Sequence, residues 1–174
     1  SDPRETWQTS VTTNRDFDEI AVAAASGEAS ILGEDEAPDF PDFVEPQLAK
    51  LRDDPPSGEE WLHELKFDGY RIQALIAGHQ VRLITRNGKD WTDRYPDVAK
   101  ALAELDVESA AIDGELVALD DRGHSHFASL QAATKGEGDA ALAYYAFDLL
   151  SLGGKDFRKK PLTERKAALK EIMP

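Results

Sequence analysis

The segment HELKFDGYR combines the residue types needed for nucleophilic attack on phosphorus. In an extended chain alternate side chains share a face, so Glu64 and Asp68 would flank Lys66 while Leu65 and Phe67 point to the opposite side. An ordinary lysine has a pKa of about 10.4 and is protonated at neutral pH. It becomes a nucleophile only when a neighbour or its surroundings remove that proton. The pattern therefore suits Lys66 as a nucleophile, with Glu64 and Asp68 as the neighbouring acids available to take its proton.

The same segment continues with a glycine and an arginine. Gly69 frees the backbone for a tight turn or for the close approach of a ligand. Arg71 adds a fork-shaped cation that suits phosphate. A short K-x-D-G match is also compatible with a solvated lysine that has no catalytic role. The other motifs of the chain must decide between these interpretations.

Three later segments carry further candidate residues. TRNGKDWT places Arg86 at a strand end before an Asn-Gly turn. IDGELVAL places Asp113 and Glu115 around a second glycine turn, and YYAFDLL places Phe147 on a strand. Taken singly, Arg86 could belong to a turn, Glu115 to a surface strand and Phe147 to the core. Their occurrence in this order after Lys66 favours a nucleotide site.

With these four motifs in this order, residues 40–174 resemble the covalent nucleotidyltransferases. The resemblance is strongest to the adenylation domain of ATP-dependent DNA ligases of the bacterial end-joining type. It implies that Lys66 attacks the α-phosphorus of ATP, releases pyrophosphate and carries AMP, which then passes to a DNA 5′-phosphate. It also implies Mg²⁺ as a cofactor, nicked or broken duplex DNA as the partner, and sealing of strand breaks in DNA repair.

The resemblance implies a role for each remaining candidate. Arg71 and Arg86 would contact ribose or phosphate oxygens, since cations stabilise the charge of a phosphoryl transition state. Glu115 would contact the ribose hydroxyls or the metal region, because Mg²⁺ suits carboxylate and triphosphate oxygens. Phe147 would stack on the adenine face, which needs a flat apolar platform, and Glu64 would lie near the amino edge of the base.

The resemblance is partial at the C-terminal end. The family's further glutamate strand, its lysine strand and its oligonucleotide-binding barrel do not occur before Pro174, and PLTERKAALKEI resembles the helix that precedes them. We therefore expect the N-terminal part of an adenylation domain over residues 41–174, with weak or no activity alone. The alternatives are an RNA ligase, an mRNA-capping guanylyltransferase, or a non-catalytic nucleotide- or partner-binding fragment.

Short strands and helices are expected around these motifs. WLHELKF predicts a strand, followed by a hairpin of YRIQALIAG and VRLITR. Residues 96–105 predict a helix with Pro96 in its first turn. The next predicted elements are the strands AAID and ELVAL, a turn at 120–123 and the helix FASLQAAT. The chain then continues with the buried strand LAYYAFDLL and the helix TERKAALKEI, with Thr163 as its N-cap. Without βαβ alternation, the pattern predicts an α+β fold of antiparallel sheets flanked by helices. The resemblance implies that this is the nucleotidyltransferase fold, incomplete at its C-terminus.

Composition separates the front of the chain from the rest. The 174 residues carry a net charge of −14, of which residues 1–58 hold 14 acids and 4 bases, a net −10. The remainder, net −4, leaves a smaller electrostatic barrier to binding nucleic acid. Residues 1–40 are predicted to be an acidic, disordered linker or tail, with a short helix allowed within residues 17–26. VEPQLAKL, which follows, is expected to be an entry segment that packs a few apolar side chains.

Other functional classes are limited by what the sequence lacks. No cysteine is present, which excludes disulfides, a thiolate nucleophile and cysteine-ligated metals. The longest apolar run, residues 140–147, is far shorter than the ~18 residues of a membrane span. His124 and His126 lack a third ligand in sequence and are interpreted as loop residues. We expect a cytoplasmic, nucleoid-associated bacterial protein. The acidic front resembles a linker in multidomain ligases, implying fused repair modules and an end-binding Ku-type partner.

Overall fold

The computed structural model describes residues 21–23, 38–51, 53–59, 61–120, 122–137 and 140–174. Most of the predicted acidic tail therefore lies outside the described residues, as does most of the short helix allowed within residues 17–26. At Ala21–Ala23 the chain forms a strand rather than a helix, because it pairs along a neighbouring strand of the main sheet. These three residues are thus part of the sheet rather than of a free tail.

Among the described residues, an antiparallel sheet flanked by three α-helices and a short 3-10 helix at Thr92–Arg94 forms the fold, and the predicted architecture is confirmed. The elements in chain order are β1 Ala21–Ala23, β2 Tyr70–Ala77, β3 Gln80–Thr85, α1 Pro96–Ala103, β4 Ser109–Leu119, α2 Phe127–Thr134, β5 Ala141–Leu152, β6 Lys155–Asp156 and α3 Leu162–Ile172. The strand order is β1-β5-β4-β2-β3, and β6 extends β5 as a short hairpin. Among the described helices, none is long and apolar enough to cross a membrane.

The two faces of the sheet differ because side chains alternate along each strand. One face, called the helix face here, carries Ile72 and Ile112 and is covered by apolar side chains of α1, α2 and α3. The other, called the site face, carries Gln73 paired with Asp113 and Arg71 paired with Glu115 across β2 and β4. The apolar core and the candidate chemical groups thus occupy opposite sides of the same strands.

A lead-in segment, residues 38–51, crosses part of the site face. The buried amide of Gln73 accepts a hydrogen bond from the Val44 N–H at 2.8 Å and donates one to the Val44 carbonyl at 3.0 Å. Val44 packs on the sheet as expected, whereas Leu48 and Leu51 are 67% and 97% exposed and take no part in that packing. The lead-in segment is therefore bound to the sheet through the Gln73 side chain, which makes the two hydrogen bonds to Val44 that a paired strand would make through its backbone.

Three local expectations are corrected by the structure. Residues 61–68 form no regular strand, although exposure still alternates, since Phe67 anchors the segment by stacking on Tyr145 at 4.1 Å instead of by ladder hydrogen bonds. The second glycine turn is absent because Gly114 lies within the continuous strand β4. Thr163 is not an N-cap, because α3 begins one residue earlier and the Pro161 carbonyl accepts the first helical N–H groups.

Candidate active site

Lys66 lies in the irregular segment that precedes β2, at the edge of the site face. Its Nζ atom donates a hydrogen bond to Asp68 Oδ1 at 2.6 Å, and the side chain is 85% exposed. The Asp68 hydrogen bond and charge raise the pKa of Lys66 above its ordinary value, with a smaller contribution from Glu115. The amine is therefore a protonated, accessible ammonium held by its predicted partner.

Glu115 is connected to the Lys66 segment through the backbone of Gly69. The Gly69 N–H donates to Glu115 Oε1 at 3.1 Å. Only glycine fits here, because a Cβ at this position would lie 2.1 Å from the Leu116 carbonyl oxygen. Burial raises the pKa of Glu115, although the Gly69 hydrogen bond and the charges of Arg71 and Lys66 oppose that shift. The glycine of the K-x-D-G motif thus serves close packing between the lysine segment and β4.

Arg71 forms a two-pronged ion pair with Asp113 on the neighbouring strand. Its Nε and Nη2 atoms donate to the two Asp113 oxygens at 3.1 and 2.8 Å, and its Nη1 donates to the Gln47 carbonyl at 2.9 Å. The Asp113 side chain is only 5% exposed, and its hydrogen bond raises the pKa of Arg71. Asp113 therefore fixes the guanidinium, and the predicted ribose or phosphate contact of Arg71 stays a prediction.

Phe147 projects onto the site face from an irregularity in β5. Gly114 pairs with Ala146 and Asp113 pairs with Asp148, which leaves Phe147 without a partner on β4. Such a bulge re-aims a side chain by inserting one residue into the strand. The half-buried Phe147 ring lies 5.4 Å from the guanidinium carbon of Arg71. The structure thus brings the predicted adenine platform beside the Arg71–Asp113 pair.

Arg86 lies at the same end of the sheet as Arg71. Its backbone N–H donates to the Arg71 carbonyl at 3.3 Å, and the tight turn that follows uses Gly88 at a φ of 74°. The Arg86 side chain is exposed and has no hydrogen bond or ion pair with any described residue. Both arginines therefore sit beside the lysine segment, but only the Arg71 guanidinium is fixed.

Two cations of α3 belong to the site and escaped the sequence analysis. Lys166 Nζ donates to the Phe147 carbonyl at 2.6 Å and forms an ion pair with the Glu64 carboxylate. Arg165 forms an ion pair with Asp148, the neighbour of Phe147. Their positions in an amphipathic helix gave no signal, because Glu64 and Lys166 are about a hundred residues apart and a single sequence does not show such pairing.

The histidine loop behaves as the sequence analysis interpreted it. Asp120 accepts hydrogen bonds from the His124 N–H at 2.8 Å and from the His126 ring at 3.1 Å. Over the described ranges, no group of three or more His, Cys, Asp or Glu residues is arranged to hold a metal ion. The pair is thus a local cap on the turn after β4.

The fold is that of the nucleotidyltransferase class. Residues 46–174 match the family described as ATP dependent DNA ligase domain, and the chain belongs to that family. This membership favours a DNA ligase over the RNA ligase and capping alternatives.

Relatives and solved structures agree with this assignment. The multifunctional non-homologous end joining protein LigD of Pseudomonas aeruginosa is 46% identical over 135 residues, 77% of this chain and 16% of that protein. DNA ligase 2 of Thermofilum pendens is 32% identical, over 75% of this chain and 24% of that protein. The crystal structure of the ligase domain from M. tuberculosis LigD superposes with a TM-score of 0.54 at 35% identity, covering 61% of this chain and 34% of that one. The chain thus spans less than a third of the length of the P. aeruginosa and T. pendens relatives.

Proposed function

We propose that this chain contributes the lysine nucleophile and the nucleotide-facing sheet of an ATP-dependent DNA ligase. The observation that carries the proposal is the junction of Lys66, Asp68 and Glu115 through the Gly69 backbone, on a chain whose residues 46–174 match the ligase family. A solved structural neighbour, mycobacterial DNA ligase D, is complexed with ATP and MES, at a TM-score of 0.52. That neighbour supports ATP as the nucleotide.

In the first step the Lys66 amine attacks the α-phosphorus of ATP. A P–N bond forms, the bond to the bridging oxygen of the β-phosphate breaks, and pyrophosphate leaves. The ammonium must first lose one proton, and Asp68, 2.6 Å from Nζ, is the nearest acceptor to take it or pass it to water. Its exposure gives Lys66 the access that attack on a bound nucleotide requires.

The remaining candidates then divide the nucleotide among them. Glu115 accepts hydrogen bonds from the ribose hydroxyls through the carboxylate oxygen that Gly69 does not use. Arg71 and Arg86 donate hydrogen bonds to ribose or phosphate oxygens. Phe147 offers its ring to the adenine face, and Glu64 accepts from the amino edge of the base. These roles are supported by the common placement of the residues around one end of the site face.

Mg²⁺ fits this site as an ion held largely by the substrate. The described residues contain no three-ligand cluster, and of the two carboxylates of β4, Asp113 is paired with Arg71, whereas Glu115 accepts the Gly69 N–H through one oxygen. Mg²⁺ is commonly held by one or two carboxylates together with phosphate oxygens and water. When bound, it would neutralise charge on the triphosphate.

We further propose the later steps and the partners for the complete ligase. A DNA 5′-phosphate oxygen displaces Lys66 from AMP, and the 3′-hydroxyl of the other strand then attacks that 5′-phosphate and releases AMP. The similarity to a multifunctional end-joining protein supports double-strand-break repair, fused repair modules and a Ku-type end-binding partner in the bacterial cytoplasm.

Intact mass spectrometry of the chain after incubation with ATP and Mg²⁺ tests the proposal. We expect a covalent increase of one AMP, in low yield for this chain alone, absent in Lys66→Ala and retained in Lys89→Ala, a matched exposed lysine on the neighbouring turn. Labelling from GTP but not ATP would instead indicate a guanylyltransferase. ATP binding without an adduct would favour the non-catalytic nucleotide-binding alternative, and neither binding nor adduct would contradict a nucleotide site on this chain.

A further inference from the structure

One amine of α3 touches both residues expected to hold the adenine ring. Lys166 Nζ donates to the Phe147 carbonyl at 2.6 Å and pairs with the Glu64 carboxylate. Its side chain is 23% exposed, whereas that of Glu64 is 46% exposed. Lys166, the less exposed of the two, thus holds the carboxylate of Glu64, and α3 determines where that carboxylate lies.

The contact to Phe147 stabilises an irregular piece of backbone. Phe147 has no register partner on β4, and the β4–β5 ladder is irregular at this point. Lys166 supplies a donor to its carbonyl, while the adjacent Arg165 binds the carboxylate of Asp148. Two successive cations of α3 therefore fix the two residues of the bulge, which would otherwise leave polar groups unsatisfied.

We propose that Lys166 is a positioning residue that sets the preference of this site for adenine over guanine. The inference rests on the proposed function, in which Glu64 meets the amino edge of the base. Adenine presents an N–H donor at its C6 position and guanine presents a carbonyl oxygen there. A carboxylate accepts from the first and is repelled by the second, so discrimination depends on holding Glu64 in place.

The same tether fixes the stacking surface relative to that carboxylate. Because Lys166 binds Phe147 through the backbone, the ring and the carboxylate share one support, and loss of the amine loosens both. A base can then tilt on the Phe147 ring, and binding no longer depends on a hydrogen bond from a C6 amino group to Glu64. The expected signature is a change in nucleotide preference, beyond any general loss of stability.

The test compares nucleotide preference in the full 174-residue chain. Lys166→Met keeps most of the aliphatic stem and removes the charge, Lys166→Arg restores a cation, and Lys170→Met removes an exposed lysine from the same helix as a control. Dissociation constants for ATP and GTP are measured by calorimetry. We expect the ATP over GTP preference to fall about tenfold in Lys166→Met, to recover largely in Lys166→Arg and to remain unchanged in Lys170→Met.

A second variant separates positioning from folding. Glu64→Gln leaves α3 intact and should lower the preference by a similar factor, and adding Lys166→Met to it should change the preference little further. Hydrogen exchange over residues 61–68 should rise in Lys166→Met and stay unchanged in Lys170→Met. A wild-type chain that prefers ATP and keeps that preference in Lys166→Met would overturn this inference alone, whereas a wild-type chain that binds neither nucleotide would overturn the proposed function with it.

Discussion

The two faces of the sheet solve different physical problems with alternate residues of the same strands. On the helix face, Tyr144 is fully buried and its hydroxyl lies 2.9 and 3.0 Å from the carbonyl oxygens of Ile72 and Ile112. On the site face, the neighbouring positions on the same strands carry Arg71 and Asp113. The comparison predicts that stability and chemistry can be varied separately here, since the two sets of side chains alternate along the same strands.

Loss of the nucleophile should give the largest effect on the site face. Lys66→Ala should abolish the AMP adduct because no other described amine is paired with Asp68. Its stability should change by less than about 0.5 kcal/mol, since the side chain is mostly exposed. Intact mass and urea unfolding measure the two quantities, and an adduct that survives would assign the nucleophile elsewhere.

A core truncation should give the matching effect on the helix face. Leu102 is fully buried in the cluster beneath α1, so Leu102→Ala should cost about 2–5 kcal/mol of unfolding free energy. Measured below its unfolding transition, the folded fraction should still form the adduct. A folded variant without adduct formation would show that the two faces are coupled.

Phe147 tests the boundary between the faces, because its half-buried ring belongs partly to each. Phe147→Ala should weaken ATP binding by about 1–3 kcal/mol if the ring stacks on adenine. Thermal melting supplies the control, since a fully buried phenylalanine would cost about 3–5 kcal/mol of stability instead. A large fall in melting temperature with unchanged ATP affinity would place the ring in the core.

The smallest expected effect concerns the charge of Glu115. Burial raises its pKa above the ordinary 4.5, so the folded protein disfavours the ionised form. The stabilising contribution of the protonated acid is complete below that value and is lost as the pH rises through the folded pKa. Glu115→Gln keeps the acceptor for Gly69 and should melt slightly higher than wild type at pH 7.

That advantage should shrink as the pH falls through the raised pKa of folded Glu115 and should be gone below the ordinary value of 4.5. Exposed Glu108→Gln is the matched control, measured by melting temperature over the same pH series. A lower melting temperature for Glu115→Gln at pH 7 would mean that attraction to Arg71 and Lys66 outweighs the cost of burial.

Local patterns were sufficient to predict most elements of the fold. The helix FASLQAAT has the predicted bounds, and the hairpin of β2 and β3 follows the strand signals around the turn at Gly78. The segment around Lys66 was predicted as a strand because its apolar and polar residues alternate. That alternation is retained in exposure, but no backbone within the described part of the chain pairs with this segment, and a single strand's sequence does not reveal whether a partner exists.

The interactions that the sequence did not reveal involve distant residues. The sequence suggested a turn at Gly114, whereas the glycine is needed because a Cβ there would lie 2.4 Å from the Tyr144 ring. Arg71 was interpreted only as an anion-binding group, and its partner Asp113 emerged from strand register. Lys166 and Gln73 have no local signature. Their roles depend on the segments that the fold brings beside them, the segment of Glu64 for Lys166 and the lead-in segment for Gln73.

The extra residue in β5 has an evolutionary consequence. Removing Phe147 would place Ala146 and Asp148 opposite consecutive residues of β4, Gly114 and Asp113, and so restore an unbroken ladder at that point. On the proposed function, a one-codon deletion would therefore regularise the pairing of β5 with β4 and remove the ring offered to the base.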